Sequence, residues 1–284
     1  MSSATNSLIK NNKADNNPVG ILLEGSSGNL ISDNKLKENN LGIVLDMDSD
    51  MNYIDDNKVE GGTGTGIVIV DASSTANFLE DNKVEGNQGW GMDIHSENTL
   101  EENKSEYNAL GGFVLRGSDN VLFDNKAKEN DIVGFMTDQA MASNNIFVNN
   151  NAEENTGDGF RIFDSDYNIL VENKARKNAG HGFVLVSGSA GNHLFDNDSE
   201  KNGMDGYNMA SSSNTVLIGN TAEENDDDGF DTTGTTGSTL IKNEAKKNAG
   251  IGFTDDMSAS NGYANNKCKD NVDGDSIPPG LCTS

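Results

Sequence analysis

The chain has 284 residues, of which 46 are acidic and 20 basic, giving a formal net charge of −26 at pH 7. That balance excludes a nucleic-acid partner, because no basic surface exists to neutralise phosphates, and excludes attraction to an anionic membrane face. No run of about 18 apolar residues is present, so no membrane insertion by a helix is expected, and the low apolar share of 33% leaves order to be decided by sequence pattern.

Asparagine carries that pattern, with 42 copies. From the N-terminus, one column runs Asn11, Asn34, Asn57, Asn82, Asn103, Asn125, Asn150, Asn173, Asn197, Asn220, Asn243 and Asn266, in steps of 21 to 25 residues. A second Asn follows five residues later in nearly every unit (Asn16, Asn39, Asn87, Asn108), with Gly62 as the exception. A third lies five residues before (Asn29, Asn52, Asn77, Asn98), with Ser238 as a replacement and a slip near Asn214. Apolar residues alternate between these columns, as at Ile31, Ile54, Leu79 and Leu100, and again at Leu36, Val59 and Val84. Later in each unit comes Gly followed by an apolar residue, as in Gly112-Phe113, Gly134-Phe135, Gly159-Phe160 and Gly182-Phe183.

Alternation over three to five residues is strand periodicity, and Asn and Gly punctuate it as corners require. A unit of about 23 residues cannot bury its apolar side alone, but stacked units can. The spacing therefore predicts an all-β, single-domain coil of three short strands per turn. About twelve coils at ~4.8 Å make a rod of roughly 55–60 Å. Inward Asn side chains at equivalent corners would stack amide on amide. The wording of segments such as 77–87 and 98–108 resembles the NosD and carbohydrate-binding-and-sugar-hydrolysis repeats of the pectin-lyase-like group. That resemblance implies a right-handed parallel β-helix, with handedness supported by the crossover rule, and implies carbohydrate as the partner.

Acids precede the main Asn (Asp33, Asp56, Asp81, Glu102) and lysines follow it (Lys35, Lys58, Lys83, Lys104). The two columns are expected to pair across coils; the alternative is a cation ladder, with Ca²⁺ as the candidate cofactor.

The middle coils carry unusual outward positions. If residues one and three after each Gly point inward, those two and four after it point outward. The first outward column then reads Asp93, Val114, Met136, Arg161, and the second His95, Arg116, Asp138, Phe163. Trp90, the only Trp, lies at the same edge. A lyase or epimerase acting on a uronate sugar must remove a proton beside a carboxylate. It needs a base, here His95 or Asp138, and a cation for the developing enolate, here Arg116 or Arg161. Trp90 and Phe163 would be platforms for sugar rings, with Met136 on the same face. Asp93 and Asp138 are the weaker pair for glycoside hydrolysis. Ordinary ion pairing of these groups needs no substrate and is the plain alternative. A further column before the Gly, Asp158, His181, Asp205 and Asp228, reads as solvated turn residues or a metal site; His193 reads as surface. No nucleophile elbow or phosphate loop is present.

Residues 1–266 are expected to hold the repeats and 267–284 a C-terminal cap. Pro278 and Pro279 cannot donate to a ladder, and Cys268 and Cys282, the only cysteines, are fourteen apart. A disulfide between them would pin the cap and imply an extracellular or periplasmic protein. The first coil begins almost at Met1 without an amphipathic cap, which points to a longer chain or to end-to-end self-association at that edge. The expectation is an exported, polysaccharide-interacting β-helix working as a uronan lyase or epimerase around His95. A non-catalytic acidic rod and a metal-handling accessory protein are the alternatives.

Overall fold

In the computed structural model, which describes residues 1–139, 141–257 and 260–283, thirty-six short strands form three twelve-stranded sheets, every pairing parallel. Each coil gives one strand to each sheet, so the chain is a right-handed β-helix of about twelve turns. Most strands of the first two sheets are three residues long with only the middle side chain inward, as in Phe78–Glu80 and Lys83–Glu85. The third sheet has the longer strands, up to six residues in Val133–Asp138 and Asp158–Phe163. No described helix is long and apolar enough to cross a membrane.

The corners explain the asparagines. Asn150 is fully buried; its Nδ2 donates to Asn173 Oδ1 (3.0 Å) and to Leu122 O (2.9 Å), while its Oδ1 accepts the Asn125 backbone N–H (2.9 Å). Each amide thus satisfies the corner before it and the one after, which an apolar side chain could not do. The residue before the ladder Asn takes a left-handed conformation, as at Asp33 (φ 55°), Asp56 (φ 52°) and Asp81 (φ 50°). In the first coil the register differs from the expected one. Asn12 and Asn17, not Asn11 and Asn16, donate to Asn34 and Asn39, and Asn11 and Asn16 occupy the left-handed corner instead. Likewise Thr215, not Asn214, continues the third column, bonding to Ser238 Oγ (3.0 Å).

Inside the third sheet, Phe113, Phe135, Phe160, Phe183, Tyr207, Phe230 and Phe253 stack with centroids 4.5 to 4.9 Å apart and planes within 10°. The Gly beside each ring is required by space. A Cβ on Gly134 would lie 2.6 Å from Gly159 O and 2.8 Å from Ala152 Cβ. The lysine columns do not lean on the acids before the main Asn. Lys58 reaches Glu85 (2.9 Å) and Lys126 reaches Glu153 (3.0 Å), both on the neighbouring coil of the same sheet.

The expected cap segment contains two strands in register, Lys267–Lys269 and Gly274–Ile277, before the tail folds back. Thr283 then bridges the open side of the former: the Cys268 N–H donates to Thr283 O (2.9 Å) and the Thr283 N–H to Asn266 O (2.9 Å). Cys268 and Cys282 are joined, with Cα atoms 5.8 Å apart.

Candidate functional site

The outward side chains of the third sheet fall into two groups. The N-terminal group is a chain of ion pairs. Arg116 Nε lies 2.9 and 3.0 Å from the two Asp93 oxygens, and its Nη1 lies 2.7 Å from Asp138 Oδ2. Burial holds the Asp93 carboxyl above the usual carboxylate range, against the pull of Arg116. The guanidinium is thus committed to two partners, and neither carboxylate is left as a free base. His95 stands beside this chain with a buried Nδ1 that has no hydrogen-bond partner among the described residues. Trp90 leans on the next coil, where a Cβ on Gly111 would come within 2.4 Å of its Cζ3.

The second group lies one to three coils further on and surrounds an open groove of about 490 Å³, lined among others by Arg161, Phe163, His181, Val184, Val186 and Met204. Of the residues expected at the site, only Arg161 and Phe163 line this groove; Trp90, Asp93, His95, Arg116, Met136 and Asp138 do not. Met136 pairs in register with Arg161 and Asp138 with Phe163, so the two groups are continuous along the sheet.

Asp158 organises the groove. It is buried, with 5% exposure. Its Oδ2 accepts from Arg161 Nε (2.8 Å) and Nη2 (2.6 Å), while its Oδ1 accepts the His181 backbone N–H (2.9 Å). One carboxylate therefore fixes the cation and the main chain that presents the imidazole. The His181 side chain faces Asp205, whose Oδ2 lies 3.2 Å from Nδ1, within ion-pair range but outside hydrogen-bond geometry, so this buried nitrogen, like that of His95, has no hydrogen-bond partner among the described residues. Asp205 also takes Asn208 Nδ2 (2.8 Å) and the Asp228 N–H (3.1 Å). Burial disfavours a charged His181, but Asp205, with Asp158 and Asp231 behind it, outweighs that, and the imidazole pKa sits above its ordinary value. Burial, then the Asp205 and Asp231 charges, push Asp227 up. Burial likewise raises Asp228, against hydrogen bonds from Thr254 Oγ1 (2.6 Å) and the Ile251 N–H (2.7 Å).

His181 is thus a groove residue, not the plain turn residue its place before Gly182 suggests. The signal for it was present: it shares a column with Asp158 and Asp205. The column does not form a metal cage; among the described residues no three His, Cys, Asp or Glu side chains converge as ligands. Chemically, the groove offers a guanidinium held by a carboxylate, an imidazole beside a second carboxylate and an apolar floor.

The family described as right handed beta helix region matches residues 1–96 and 72–199. No curated protein sequence matches the chain. Among solved structures, the chain is similar to the A-module of the Azotobacter vinelandii mannuronan C-5 epimerase AlgE6, with 16% identity, a TM-score of 0.68, and 96% of this chain and 81% of that one covered. It is similar to the periplasmic alginate epimerase AlgG at 15% identity and TM-score 0.65, covering 94% and 76% of the two chains. The Dettilon tailspike protein follows at 13% identity and TM-score 0.57, covering 83% and 60%. At these identities the likeness is one of fold.

Proposed function

The chain belongs to the right handed beta helix family, and from that footing we propose that it binds a polysaccharide along its third sheet and acts on a uronate residue seated in the Arg161–His181 groove. The observation that carries this reading is the pairing in one open groove of a guanidinium held by buried Asp158 and an imidazole that faces buried Asp205. A uronate carboxylate would lie on the free edge of Arg161, which neutralises charge as the C5 proton leaves. His181 in its neutral form would take that proton, with Asp205 stabilising the imidazolium. Phe163 and the Val184, Val186 and Met204 side chains would face the sugar ring. Delivery of a different proton, from water, to the opposite face gives epimerisation with the imidazolium losing its proton to solvent, whereas cleavage of the C4–O bond, with the imidazolium or water protonating the departing oxygen, gives β-elimination. The epimerase neighbours support carbohydrate as the ligand class, and the Cys268–Cys282 bridge supports an exported or periplasmic setting. The ion-paired Asp93–Arg116–Asp138 chain is assigned a structural part.

The test is a panel of uronate-containing polysaccharides, followed by ultraviolet absorbance for unsaturated products and proton NMR for C5 inversion. Wild type and His95→Ala are expected to turn over a member of the panel, and His181→Ala and Arg161→Ala to lose at least ~100-fold. Loss with His95→Ala alone would return the site to the N-terminal cluster; neither reaction nor binding by wild type would leave the acidic rod.

A further inference from the structure

The outer face of the first sheet changes character halfway along the rod. Its three-residue strands turn the middle side chain inward, so the first and third residues point out. In the early coils the third position is mostly charged, as at Lys10, Asp55, Glu80 and Glu101. The next six strands carry no charged residue: Val121–Phe123, Ile146–Val148, Ile169–Val171, His193–Phe195, Val216–Ile218 and Thr239–Ile241. They stack in register. Their outward side chains are all partly exposed, Phe123 the most at 37%. The repeat does not require this composition. In the same six coils each strand of the second sheet, from Lys126–Lys128 to Glu244–Lys246, puts one or two charged residues in the equivalent outward places. On a chain of net charge −26, an apolar strip of this length marks a surface that something covers.

Area and charge together point to the cover. Six coils at ~4.8 Å, each about five residues wide with its corners at ~3.4 Å, make a strip of roughly 29 by 17 Å. Two such strips face to face remove on the order of 1,000 Å² from water, which is what a specific interface needs at the least. An acidic copy can also approach an acidic copy closely only where neither presents charge. Rods lying parallel would trap Asp55, Glu80 and Glu101 of both copies between the sheets and strip them of water. A twofold axis along the strand direction, midway between Ile169–Val171 and His193–Phe195, makes the rods antiparallel and avoids this. The six uncharged strands then cover one another, Asp55 and Glu80 overhang into water, and Glu101 meets only the small Gly262–Ala264 strand. Val121–Phe123 lies on Thr239–Ile241 of the second copy, and Ile169–Val171 on His193–Phe195, so Phe123 meets Ile241 and Val171 meets Phe195. The corners that follow the strands share one rim. There Asp124 comes to Lys242 at both ends of the strip, while Glu172 and Asp196 oppose each other at its middle. We infer that this strip is a dimer interface, in which a second copy of the chain packs antiparallel through the first sheet and leaves the third-sheet groove of both copies open.

Sedimentation equilibrium of the full chain tests it. In ~0.5 M NaCl a reversible dimer is expected, with a Kd on the order of 10–100 μM, the weak range that suits an interface of this size. Lowering salt to ~20 mM should loosen it at least ~5-fold, because the net charge and the Glu172–Asp196 approach are then unscreened. Val148→Lys combined with Ile218→Lys, at positions that face each other across the axis, should leave a monomer with a wild-type circular dichroism melt. Lys174→Gln, on the second sheet, should dimerise as wild type does. A nitroxide on Lys37→Cys, in the second coil, leaves the strip unaltered and reads the orientation directly. Its mate in an antiparallel dimer lies about 60 Å away, thirteen coils along, against less than about 40 Å in a parallel pair. A chain still monomeric at ~1 mM in 0.5 M NaCl would overturn the inference. So would a dimer that tightens as salt is removed, a folded double variant that dimerises unchanged, or a label distance in the parallel range.

Discussion

At the scale of single residues, the account turns on how buried carboxylates aim exposed groups. His181 must be neutral to accept a proton, and Asp205 holds its pKa above the ordinary value near 6.5. The kcat/KM profile on a turned-over uronate polymer should therefore rise through a pKa above 6.5 on its acid side. Asp205→Asn removes the anion and should slide that limb to lower pH; a limb that stays put would show that another group is the base. The ladder asparagines make a second prediction. Asn150→Ala deletes an amide that bonds Asn173, Leu122 and Asn125 and leaves buried backbone groups unpaired. The loss should be ~3 kcal/mol by urea denaturation. That Asn belonged inside was legible from its period alone. His181 was harder to read, because one residue before a Gly carries no periodic signal of its own, and only the carboxylates Asp158 and Asp205 around it single it out as the proposed base.

At the scale of elements, strand and corner were readable because the unit is short and its apolar alternation is strict. Register was less so. The doublets Asn11-Asn12 and Asn16-Asn17 fit the ladder in either frame, and only the left-handed corner ahead of each ladder Asn decides between them. The outward alternation of the third sheet was also legible, and it placed Arg161 and Phe163 correctly on one face. It could not say which outward groups are consumed by one another. Arg116, flanked by acids one coil before and one coil after, pairs with both. Two substitutions test the packing. Gly134→Ala drives a Cβ into Gly159 O and should cost about 1–3 kcal/mol. Phe160→Ala opens the ring stack between Phe135 and Phe183, each 4.8 Å away, and should cost about 3–5 kcal/mol. Thermal or urea unfolding of both variants, with wild-type-like stability in either, would speak against the observed stack.

At the scale of the whole molecule, a charge of −26 on a stiff rod means that self-repulsion opposes the fold. The midpoint of unfolding should rise as sodium chloride goes from about 10 to about 300 mM, since the Debye length falls from about 30 Å toward less than 8 Å. Coil number and all-β character followed from counting columns, because every coil repeats one chemical solution. The groove breaks that repeat, so it had to be seen in three dimensions. Only three histidines occur, His95, His181 and His193, which makes their ring signals separable by NMR on imidazole-labelled protein. Titrating the chain with a uronate-containing oligosaccharide should shift the His181 ring resonances and change their pH titration, with His95 and His193 unmoved. Perturbation of His95 in place of His181, or of none of the three, would contradict the assignment of the site.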